Sequence, residues 1–404
     1  MTLRLLVVAD DLTGAHDCAA RLTALGGPVP SARSAGHLRG LPGAKALVLD
    51  AETRFLKPRE ARWRSTRAWA ELGQAASAPW RFHKLDSTLR GNPGEEVEGL
   101  AAATAAPWVA VLPAYPRAGR TTLNGRHYVN GQPLEASEFA RDPLSPARVA
   151  RPQDLFRADQ RLHVPLAWVR SGLSARLRRA LRSRPARFVT FDCLADADVD
   201  RIAKASVHLG CRHFAGASAL AGSLARLLGP ENGSRQRPPL PPAGLPWMIL
   251  AGSLSERSLE QLSLAQVSGC LRWAAVAWGP SVASLRGAQR KGTLALSTVR
   301  RRPASFGRRS VAAGEAAIGR LVSTALKVVP DPSQAAWLLT GGHSALRFFE
   351  AASLLRFDVM GEALPGLAWG RAEGPRGGAW IATKPGGFGQ ADLYPRFLDL
   401  VQAR

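Results

Sequence analysis

Long apolar segments are absent from this 404-residue chain. No uninterrupted apolar run is long enough to cross a bilayer as a helix, which argues against a helical membrane protein. The first apolar stretch, residues 5–9, runs directly into Asp10 and Asp11 and is too short for a signal peptide. We therefore expect a cytoplasmic protein with no membrane partner.

Cysteine is scarce as well. The four cysteines are Cys18, Cys193, Cys211 and Cys270. None of them belongs to a CxxC pair, and all lie in apolar stretches, so neither a disulfide framework nor a zinc site is expected. We predict reduced thiols that pack in the core, and no metal ion held by the protein's own side chains.

Acidic residues are few relative to basic ones: 31 Asp and Glu stand against 54 Lys and Arg, which gives a formal net charge of +23. A charge of this size can indicate nucleic-acid binding. Only seven of the basic residues are lysine, however, and the arginines are spread along a chain that is also rich in Ala, Gly and Pro. This pattern indicates a compositional bias, so we do not expect nucleic acid as a partner. The excess charge would still attract acidic, phosphorylated ligands.

The N-terminal half alternates short apolar runs with helical stretches rich in Ala, Leu and Arg. Predicted strands occupy residues 3–9, 46–50, 81–84, 108–113, 162–169, 187–191 and 212–215. Predicted helices between the first four of these strands occupy residues 15–25, 58–72 and 95–105. An Asn130-Gly131 pair between extended residues is typical of a hairpin turn. The alternation predicts a mostly parallel sheet with helices on both faces.

A Pro- and Gly-rich stretch divides the chain. Residues 229–245 read GPENGSRQRPPLPPAGL and show no periodicity, as is typical of a linker. A strand is predicted over 247–251, a helix over 255–266, and further βα units to the end. We therefore predict an α/β protein with two domains, each a mostly parallel sheet flanked by helices. Their bounds are residues 1–230 and 247–404, with a linker over 231–246.

The first motif with chemical potential is ADDLTGA at residues 9–15. It follows the first predicted strand, and open α/β sheets bind ligands at the carboxyl ends of their strands. One carboxylate of the pair Asp10 and Asp11 can cap the following helix, which leaves the other to hold a sugar hydroxyl, a cation or a proton. Simple capping by both is the alternative interpretation.

A second polar motif, HKLDSTLRGN, occupies residues 83–92 after another predicted strand. Its arginine can bind a carboxylate through two parallel hydrogen bonds, and its hydroxyl and carboxylate groups can bind sugar hydroxyls. Polar loops are commonly just solvated, but a polar loop that follows a buried strand favours a functional role.

Three turns of small residues follow predicted strands in the C-terminal domain. They read AGSLS at 251–255, TGGHSA at 340–345 and KPGGFG at 384–389. Backbone N–H groups and a helix N-terminus at such turns can bind phosphate groups. Three such turns in one domain indicate a nucleotide site, and the absence of a GxxxxGK[ST] sequence excludes a P-loop enzyme.

Together these motifs resemble the four-carbon acid-sugar kinase family, whose members phosphorylate threonate, erythronate or 3-oxo-tetronate with ATP. The resemblance spans nearly the whole chain and includes KLDSTLRGNPGEE at 84–96 and the long stretch at 112–143. It implies an N-terminal sugar-acid-binding domain, a C-terminal nucleotide-binding domain and an active site in the cleft between them. We therefore predict an ATP-dependent kinase, a phosphotransferase acting on an alcohol group, that uses ATP and Mg²⁺ and binds a small sugar acid. A homo-oligomer is left open.

The resemblance also implies roles for individual residues. Catalytic roles are expected for Asp11, with Asp86 as the second choice of base, and for Lys84. Substrate-binding roles are expected for Asp10, Ser87, Arg90 and Asn92. Nucleotide-binding roles are expected for Ser253, Ser255, Gly341, Gly342, His343, Ser344, Lys384, Gly386 and Gly387. The family usually has an acidic residue at the place of His343 and serine at the place of Pro385. The alternative interpretation is therefore a member that binds a sugar acid without transferring phosphate.

Overall fold

The chain divides into two compact units, residues 1–235 and 236–404. The computed structural model describes residues 2–142, 144–230, 241–242, 244–252, 255–301 and 308–402. Most of the predicted linker, residues 231–240 and 243, lies outside the described residues. No helix within the described ranges is both long enough and apolar enough to span a bilayer.

The N-terminal unit is organised around a parallel sheet. Its strands are β1 (Leu5–Ala9), β2 (Val29–Ala32), β3 (Ala46–Asp50), β4 (Trp80–Lys84), β5 (Val109–Leu112), β6 (Arg120–Leu123), β7 (Arg126–Val129), β8 (Gln132–Pro133), β9 (Arg161–Val164), β10 (Phe188–Phe191) and β11 (His213–Gly216). Those of the large sheet follow the order β2-β3-β1-β4-β11-β5-β10-β9, and every neighbouring pair is parallel. Strands β6, β7 and β8 form a separate antiparallel sheet.

Helices connect the strands of the parallel sheet. They are α1 (Leu12–Leu22), α2 (Pro58–Ala75), α3 (Pro93–Thr104), α4 (Leu166–Arg170), α5 (Leu173–Ser183), α6 (Asp196–His208) and α7 (Ser218–Leu228). Strands β1 and β3 read LLVVA and ALVLD and are buried throughout, as expected for strands covered on both faces. Helices α2 and α3 each begin with proline, whose fixed φ suits the first helical turn. The carboxyl ends of the adjacent strands β3, β1 and β4 therefore lie side by side.

Two details of this unit differ from the sequence prediction. The strand predicted over 162–169 ends at Val164, because Pro165 interrupts it and helix α4 follows. Strand β2 was not predicted, since its sequence VPSA is short and contains a proline, which usually argues against a strand. The predicted hairpin is confirmed: Asn130 and Gly131 connect β7 to β8 with φ values of 50° and 80°.

The C-terminal unit contains a mixed sheet. Its strands are β12 (Trp247–Ala251), β13 (Arg272–Ala275), β14 (Leu294–Ser297), β15 (Ala336–Thr340), β16 (Arg356–Leu364), β17 (Leu367–Gly374) and β18 (Gly377–Lys384). Their order is β13-β14-β12-β15-β18-β17-β16. The helices are α8 (Glu256–Val267), α9 (Val282–Gln289), α10 (Arg308–Val328), α11 (Gly342–Ala351) and α12 (Leu393–Gln402).

The expectation of βα units up to the C-terminus is wrong for one stretch. Strands β16, β17 and β18 form consecutive antiparallel hairpins, whereas β13, β14, β12, β15 and β18 are parallel neighbours. The short connections of two residues between β16, β17 and β18 leave no room for helices. The predicted fold class, α/β with mostly parallel sheets flanked by helices, is confirmed.

Candidate active site

Two adjacent carboxylates follow β1 directly. Asp11 is the N-cap of helix α1: its Oδ1 accepts a hydrogen bond from the backbone N–H of Gly14 at 2.8 Å, and its Oδ2 accepts one from the Thr13 hydroxyl at 2.9 Å. Asp10 is almost fully buried, with 1% of its surface exposed. One carboxylate therefore caps the helix, and the other is left for a different task.

Arg54, in the loop after β3, joins these two carboxylates. Its Nε and Nη2 atoms donate to Oδ2 of Asp10 at 2.8 and 2.7 Å. Its Nη1 and Nη2 atoms donate to Oδ2 and Oδ1 of Asp11 at 2.8 and 2.9 Å. The loop is held in place because the backbone N–H groups of Thr53 and Arg54 both donate to the carbonyl of Asp10. A planar guanidinium with donors on both sides fits this arrangement well.

The two carboxylates have different proton affinities. Burial raises the pKa of the Asp10 carboxyl to about 7, although the charge of Arg54 acts to lower it. Burial also acts to raise the pKa of Asp11, but the charges of Arg54 and Lys84 outweigh it, so this pKa is lowered. Near neutral pH, Asp11 is therefore ionised while Asp10 is close to its titration midpoint.

The loop after β4 contains a second, partly buried ion pair. Arg90 donates to Asp86 from Nε at 2.9 Å and from Nη2 at 3.0 Å, and its Nη1 donates to Asp142 at 3.2 Å. The Thr88 hydroxyl also donates to Asp86. Burial acts to raise the pKa of Asp86, but Arg90 and Arg54 together hold it well below its ordinary value. Asp86 is thus a firmly ionised carboxylate at physiological pH.

The two loops are also connected to each other. The Asn92 side-chain amide donates to the backbone carbonyls of Thr53 and Leu56, at 3.2 and 3.0 Å. Nη2 of Arg54 lies 3.6 Å from Oδ1 of Asp86. Asn92, predicted to bind substrate, here fixes the position of the loop that contains Arg54.

Lys84 ends strand β4 and lies beside the carboxylate pair. Its ammonium is buried and donates to the carbonyl of Leu85 at 2.7 Å. A Cβ atom at Gly14 would lie 2.5 Å from Oδ1 of Asp11 and 3.2 Å from Nζ of Lys84. Glycine at position 14 therefore leaves room for the Asp11 carboxylate at the start of helix α1, with the Lys84 ammonium close beside it.

The β6–β7 hairpin supports the polar loop from another side. Nε2 of His127 lies 2.8 Å from the carbonyl oxygen of Ser87, and its Nδ1 lies 2.9 Å from the Thr122 hydroxyl. Burial lowers the pKa of His127 to about 4, so the ring is neutral near pH 7 and Nε2 donates to the carbonyl if Nδ1 accepts from threonine. Ser87 itself is half-buried.

The structure therefore brings together most of the residues predicted for the N-terminal site and adds two that the sequence prediction missed. Asp10, Asp11, Lys84, Asp86 and Arg90 lie on the ends of β1 and β4 or in the loops that follow them. The added residues are Arg54 and Asp142. The sequence signal for Arg54 was available: residues 51–54 read AETR directly after a buried strand.

Lys384 occupies an unusual position in the C-terminal unit. Its ammonium is fully buried and donates to the carbonyls of Pro385, Gly386 and Phe388 at 3.0–3.1 Å. All three of its hydrogens can thus be used within the glycine-rich loop. Burial, together with the charge of Arg257, lowers the pKa of this ammonium to about 7.

The same loop is attached to the start of helix α8. The Ser255 hydroxyl, which caps α8, and the Ser258 hydroxyl donate to the carbonyl of Gly386 at 3.0 and 2.5 Å. At Gly387 a Cβ atom would meet nothing within 4 Å, so the loop has open space on that side. Ser253, also predicted for this site, lies outside the described residues.

The turn between β15 and α11 completes this group. Gly341 has φ of +96°, a conformation that favours glycine, and its N–H donates to the carbonyl of Lys384 at 2.9 Å. Helix α11 begins at Gly342 without a side-chain cap. The Ser344 hydroxyl is directed at the carbonyls of Thr340 and Gly341. The hydroxyl thus stabilises the turn from inside, and the helix N-terminus remains suited to an anion.

His343, at the second position of α11, faces a carboxylate. Its Nε2 lies 3.6 Å from Oε1 of Glu315, and Oε2 of the same carboxylate accepts a hydrogen bond from Arg347 at 2.9 Å. The described residues contain no group of three His, Cys, Asp or Glu side chains that could hold a metal ion.

Comparisons with known proteins match the two parts of the chain separately. Residues 5–224 match a family described as a sugar-binding N-terminal domain, and residues 248–394 match a nucleotide-binding C-terminal domain. A D-threonate kinase of Cupriavidus necator is 32% identical over 99% of this chain and 98% of its own. The chain belongs to the four-carbon acid-sugar kinase family.

Two further comparisons extend the match within this kinase family and its fold. A 3-oxo-tetronate kinase of Methylobacterium radiotolerans is 29% identical over 99% of this chain and all of its own. The crystal structure of a provisionally named tRNA synthase of Salmonella typhimurium LT2 has a TM-score of 0.78, with 21% identity and 99% coverage of both chains. That likeness shows the fold alone. The residues from Asp10 to Arg90 that form the N-terminal cluster lie within the sugar-binding match. Lys384 and the turns around it lie within the nucleotide-binding match.

Proposed function

We propose that this protein is an ATP-dependent kinase that phosphorylates a hydroxyl group of a four-carbon sugar acid. Similarity to a D-threonate kinase and a 3-oxo-tetronate kinase over the whole chain supports the substrate class. The observation that carries the proposal is the cluster of Asp10, Asp11, Arg54, Asp86 and Arg90 at the carboxyl ends of adjacent strands within the sugar-binding match. Such an arrangement of fixed charges can bind both a carboxylate and hydroxyl groups.

Arg90 is the proposed ligand of the acid's carboxylate. Its contacts to Asp86 and Asp142 use one N–H of Nη2 and one of Nη1. Since each terminal nitrogen has two N–H bonds, one on each remains for a second carboxylate. Asp86 fixes the orientation of the guanidinium and keeps its charge in place. Ser87 and Asn92 stay predicted substrate contacts. The side-chain amide of Asn92 also holds the loop that contains Arg54.

The nucleotide is proposed to bind through the turns of the C-terminal unit. The N-terminus of α11, including Gly342 to Ser344, is suited to phosphate groups because its N–H groups and dipole favour an anion. Lys384 and Ser255 are proposed to act through the loop, since they hold the backbone at Gly386. The open side of Gly387 is the proposed approach for the nucleotide.

ATP supplies the phosphoryl group, and the protein's contribution is positioning and charge stabilisation. The buried ammonium of Lys84 would stabilise negative charge that develops during transfer. Asp11 is ionised and fixed, and would keep Arg54 and the start of α1 in place. Mg²⁺ is usually held by one or two carboxylates together with substrate phosphates. Glu315 is close to the α11 turn but is shared with Arg347, so we propose that Mg²⁺ is held mainly by the nucleotide.

A coupled ADP-release assay tests the proposal. Threonate, erythronate and 3-oxo-tetronate would be offered in both stereochemical series, with a five-carbon acid and a four-carbon alcohol lacking the carboxylate as controls. We expect acid-dependent ADP release with at least one four-carbon acid and little with the alcohol. If the acids bind in calorimetry but no ADP is released with ATP and Mg²⁺, the protein binds sugar acids without phosphoryl transfer. No binding of any acid would refute the proposal altogether.

A further inference from the structure

Three carboxylates of the N-terminal site, Asp10, Asp11 and Asp86, are candidates for accepting the hydroxyl proton of the substrate. The sequence favours Asp11 for this role, with Asp86 as second choice. A general base needs an oxygen that can reach the proton, so the occupancy of each carboxylate oxygen discriminates between the candidates.

Asp11 is fully occupied. Each of its two oxygens accepts two hydrogen bonds: Oδ1 from Gly14 and Arg54, and Oδ2 from Thr13 and Arg54. A carboxylate that accepts this many bonds is stabilised in its charged form and is a poor proton acceptor. Its position as helix cap also prevents it from turning toward a ligand without uncapping α1.

Asp86 is occupied in the same way. Its Oδ2 accepts from the backbone N–H groups of Thr88 and Arg90, from the Thr88 hydroxyl and from Nε of Arg90. Its Oδ1 accepts from Nη2 of Arg90 and lies near Arg54. A proton on Asp86 would break the ion pair that orients Arg90.

Asp10 differs from both. Its Oδ2 accepts two bonds from Arg54, whereas its Oδ1 is buried and has no hydrogen-bond partner among the described residues. A buried carboxylate oxygen without a partner is uncommon in folded proteins and calls for an explanation. This oxygen lies 3.5 Å from the position of a Cβ on Gly14, a point that is 3.2 Å from Nζ of Lys84. Its surroundings therefore include Lys84, which is predicted to be catalytic, and Gly14 of the ADDLTGA motif.

Arg54 explains how the two neighbouring carboxylates can differ. Its guanidinium binds the carboxylates of both Asp10 and Asp11, and four of its five N–H bonds donate to them. Arg54 thus has at most one N–H left for substrate. It is a positioning residue that presents Oδ1 of Asp10 while holding Asp11 at the helix.

We propose that Asp10, through Oδ1, is the proton acceptor of the phosphoryl transfer and that Arg54 positions it. The inference rests on the proposed kinase function. The substrate O–H proton moves to Oδ1 as the substrate oxygen forms its bond to the γ-phosphorus of ATP. The bond from that phosphorus to the bridging oxygen breaks, and its electron pair leaves with ADP. Asp10 then releases the proton to solvent.

A proton acceptor of this kind should be visible in the pH profile. Burial raises the pKa of Asp10 to about 7, so the acceptor form grows as pH increases through neutrality. The charged or titratable groups around the pair come from every neighbouring element: Asp11, His16, Asp50, Arg54, Lys84, Asp86 and Glu96. Burial lowers the pKa of His16 to about 3 and raises the pKa of Asp50 well above its ordinary value.

The decisive comparison is Asp10→Asn against Asp11→Asn in the full chain. We expect Asp10→Asn to bind acid and ATP within about threefold of the parent while kcat falls by about 10²-fold or more, the usual scale for loss of a general base. The acid limb of kcat/KM near pH 7 should disappear. Asp11→Asn should lower thermal stability and keep an acid limb, moved to lower pH because the charge of Asp11 raises the pKa of Asp10. An Asp10→Asn enzyme with near-parental kcat and an unchanged limb would overturn the inference.

A second measurement does not depend on activity. ¹³C NMR of aspartate carboxyl groups in the free parent protein should show a carboxyl that titrates near neutral pH and is missing from the Asp10→Asn spectrum, which distinguishes it from Asp50 with its raised pKa. In Arg54→Lys the midpoint of that titration should move. Arg64→Met, which removes an exposed arginine of α2, is the matched control and should leave it in place. Absence of any aspartate titrating near neutrality would refute the inference. If the titration is found but no four-carbon acid is phosphorylated, the kinase proposal fails instead.

Discussion

Replacing Arg90 with alanine separates the two proposed sites more sharply than any other single change. Arg90 makes two hydrogen bonds to Asp86 and one to Asp142, and its guanidinium lies over the Phe139 ring at 5.2 Å. In the kinase proposal it also supplies the two N–H bonds that receive the acid's carboxylate. The substitution should therefore weaken acid binding and leave nucleotide binding unchanged.

The magnitude follows from the contacts. A hydrogen bond to a charged group contributes about 1.5–3 kcal/mol, which corresponds to roughly 10- to 150-fold in Kd for the acid. Breaking a buried ion pair usually costs about 3–5 kcal/mol of folding stability. We expect the lower end of that range, because Asp86 keeps its bonds from Thr88 and lies 3.6 Å from Arg54.

Calorimetric titration with acid and with ATP, each alone, measures both affinities directly. Arg90→Lys keeps the charge but loses the planar guanidinium with its paired donors, so its affinity for the acid should lie between those of the parent and Arg90→Ala. Arg126→Ala is the matched control, because it removes only an exposed ion pair with Glu135 near the neighbouring hairpin and should leave both affinities and stability nearly unchanged. Weaker ATP binding with unchanged acid binding in Arg90→Ala would show that the assignment of sugar acid and nucleotide to the two domains is wrong.

Three further substitutions test other parts of the argument. Gly14→Ala should lower kcat and melting temperature together, since its Cβ would lie 2.5 Å from Asp11; a fully active, equally stable variant would contradict the close approach. Lys384→Met should weaken ATP binding. The folded parent releases the Lys384 proton near pH 7, whereas the unfolded chain keeps it up to about pH 10.5. The free energy of unfolding of the parent, measured by denaturant titration, should therefore rise relative to that of Lys384→Met between these pH values. A constant difference would refute the lowered pKa. In metal-free ATP titrations, His343→Asp should bind ATP more weakly than the parent if His343 contacts phosphate, and equally well if it contacts ribose. Equal ATP affinities of the Ala, Asp and His proteins would show that residue 343 only begins helix α11.

The sequence located the motifs of both sites because each follows a recognisable strand. Asp10 directly follows β1, and Lys84 and Lys384 end β4 and β18, where parallel strands present ligand-binding loops. The fold class was predictable for the same reason. Predicted strand ends were wrong where a single residue interrupts the apolar pattern, as Pro165 does between β9 and α4.

The partners of the site residues were not predictable. Arg54 is 44 positions from Asp10 along the chain, and the contact depends on β3 and β1 being neighbours in the sheet. Asp142 is 52 positions from Arg90 and lies beyond the small antiparallel sheet. A single sequence shows which residues carry charge, but not which charges the strand order brings together. The occupancy of a carboxylate oxygen, on which the choice between Asp10 and Asp11 depends, appears only in three dimensions.

Two of the few lysines of this arginine-rich chain, Lys84 and Lys384, are buried in the polar loops of the two candidate sites. Lys384 points a compact ammonium at three carbonyl oxygens of one loop, all at 3.0–3.1 Å, and such a converging set matches three tetrahedral donors. Arg54 faces two carboxylates lying side by side, which match a planar fork. The Lys84 ammonium lies 3.2 Å from where a Cβ on Gly14 would be, so it packs closely against the start of helix α1. At Lys384 and Arg54 the choice between the two cations thus follows from the shape of the acceptor set and not from charge alone.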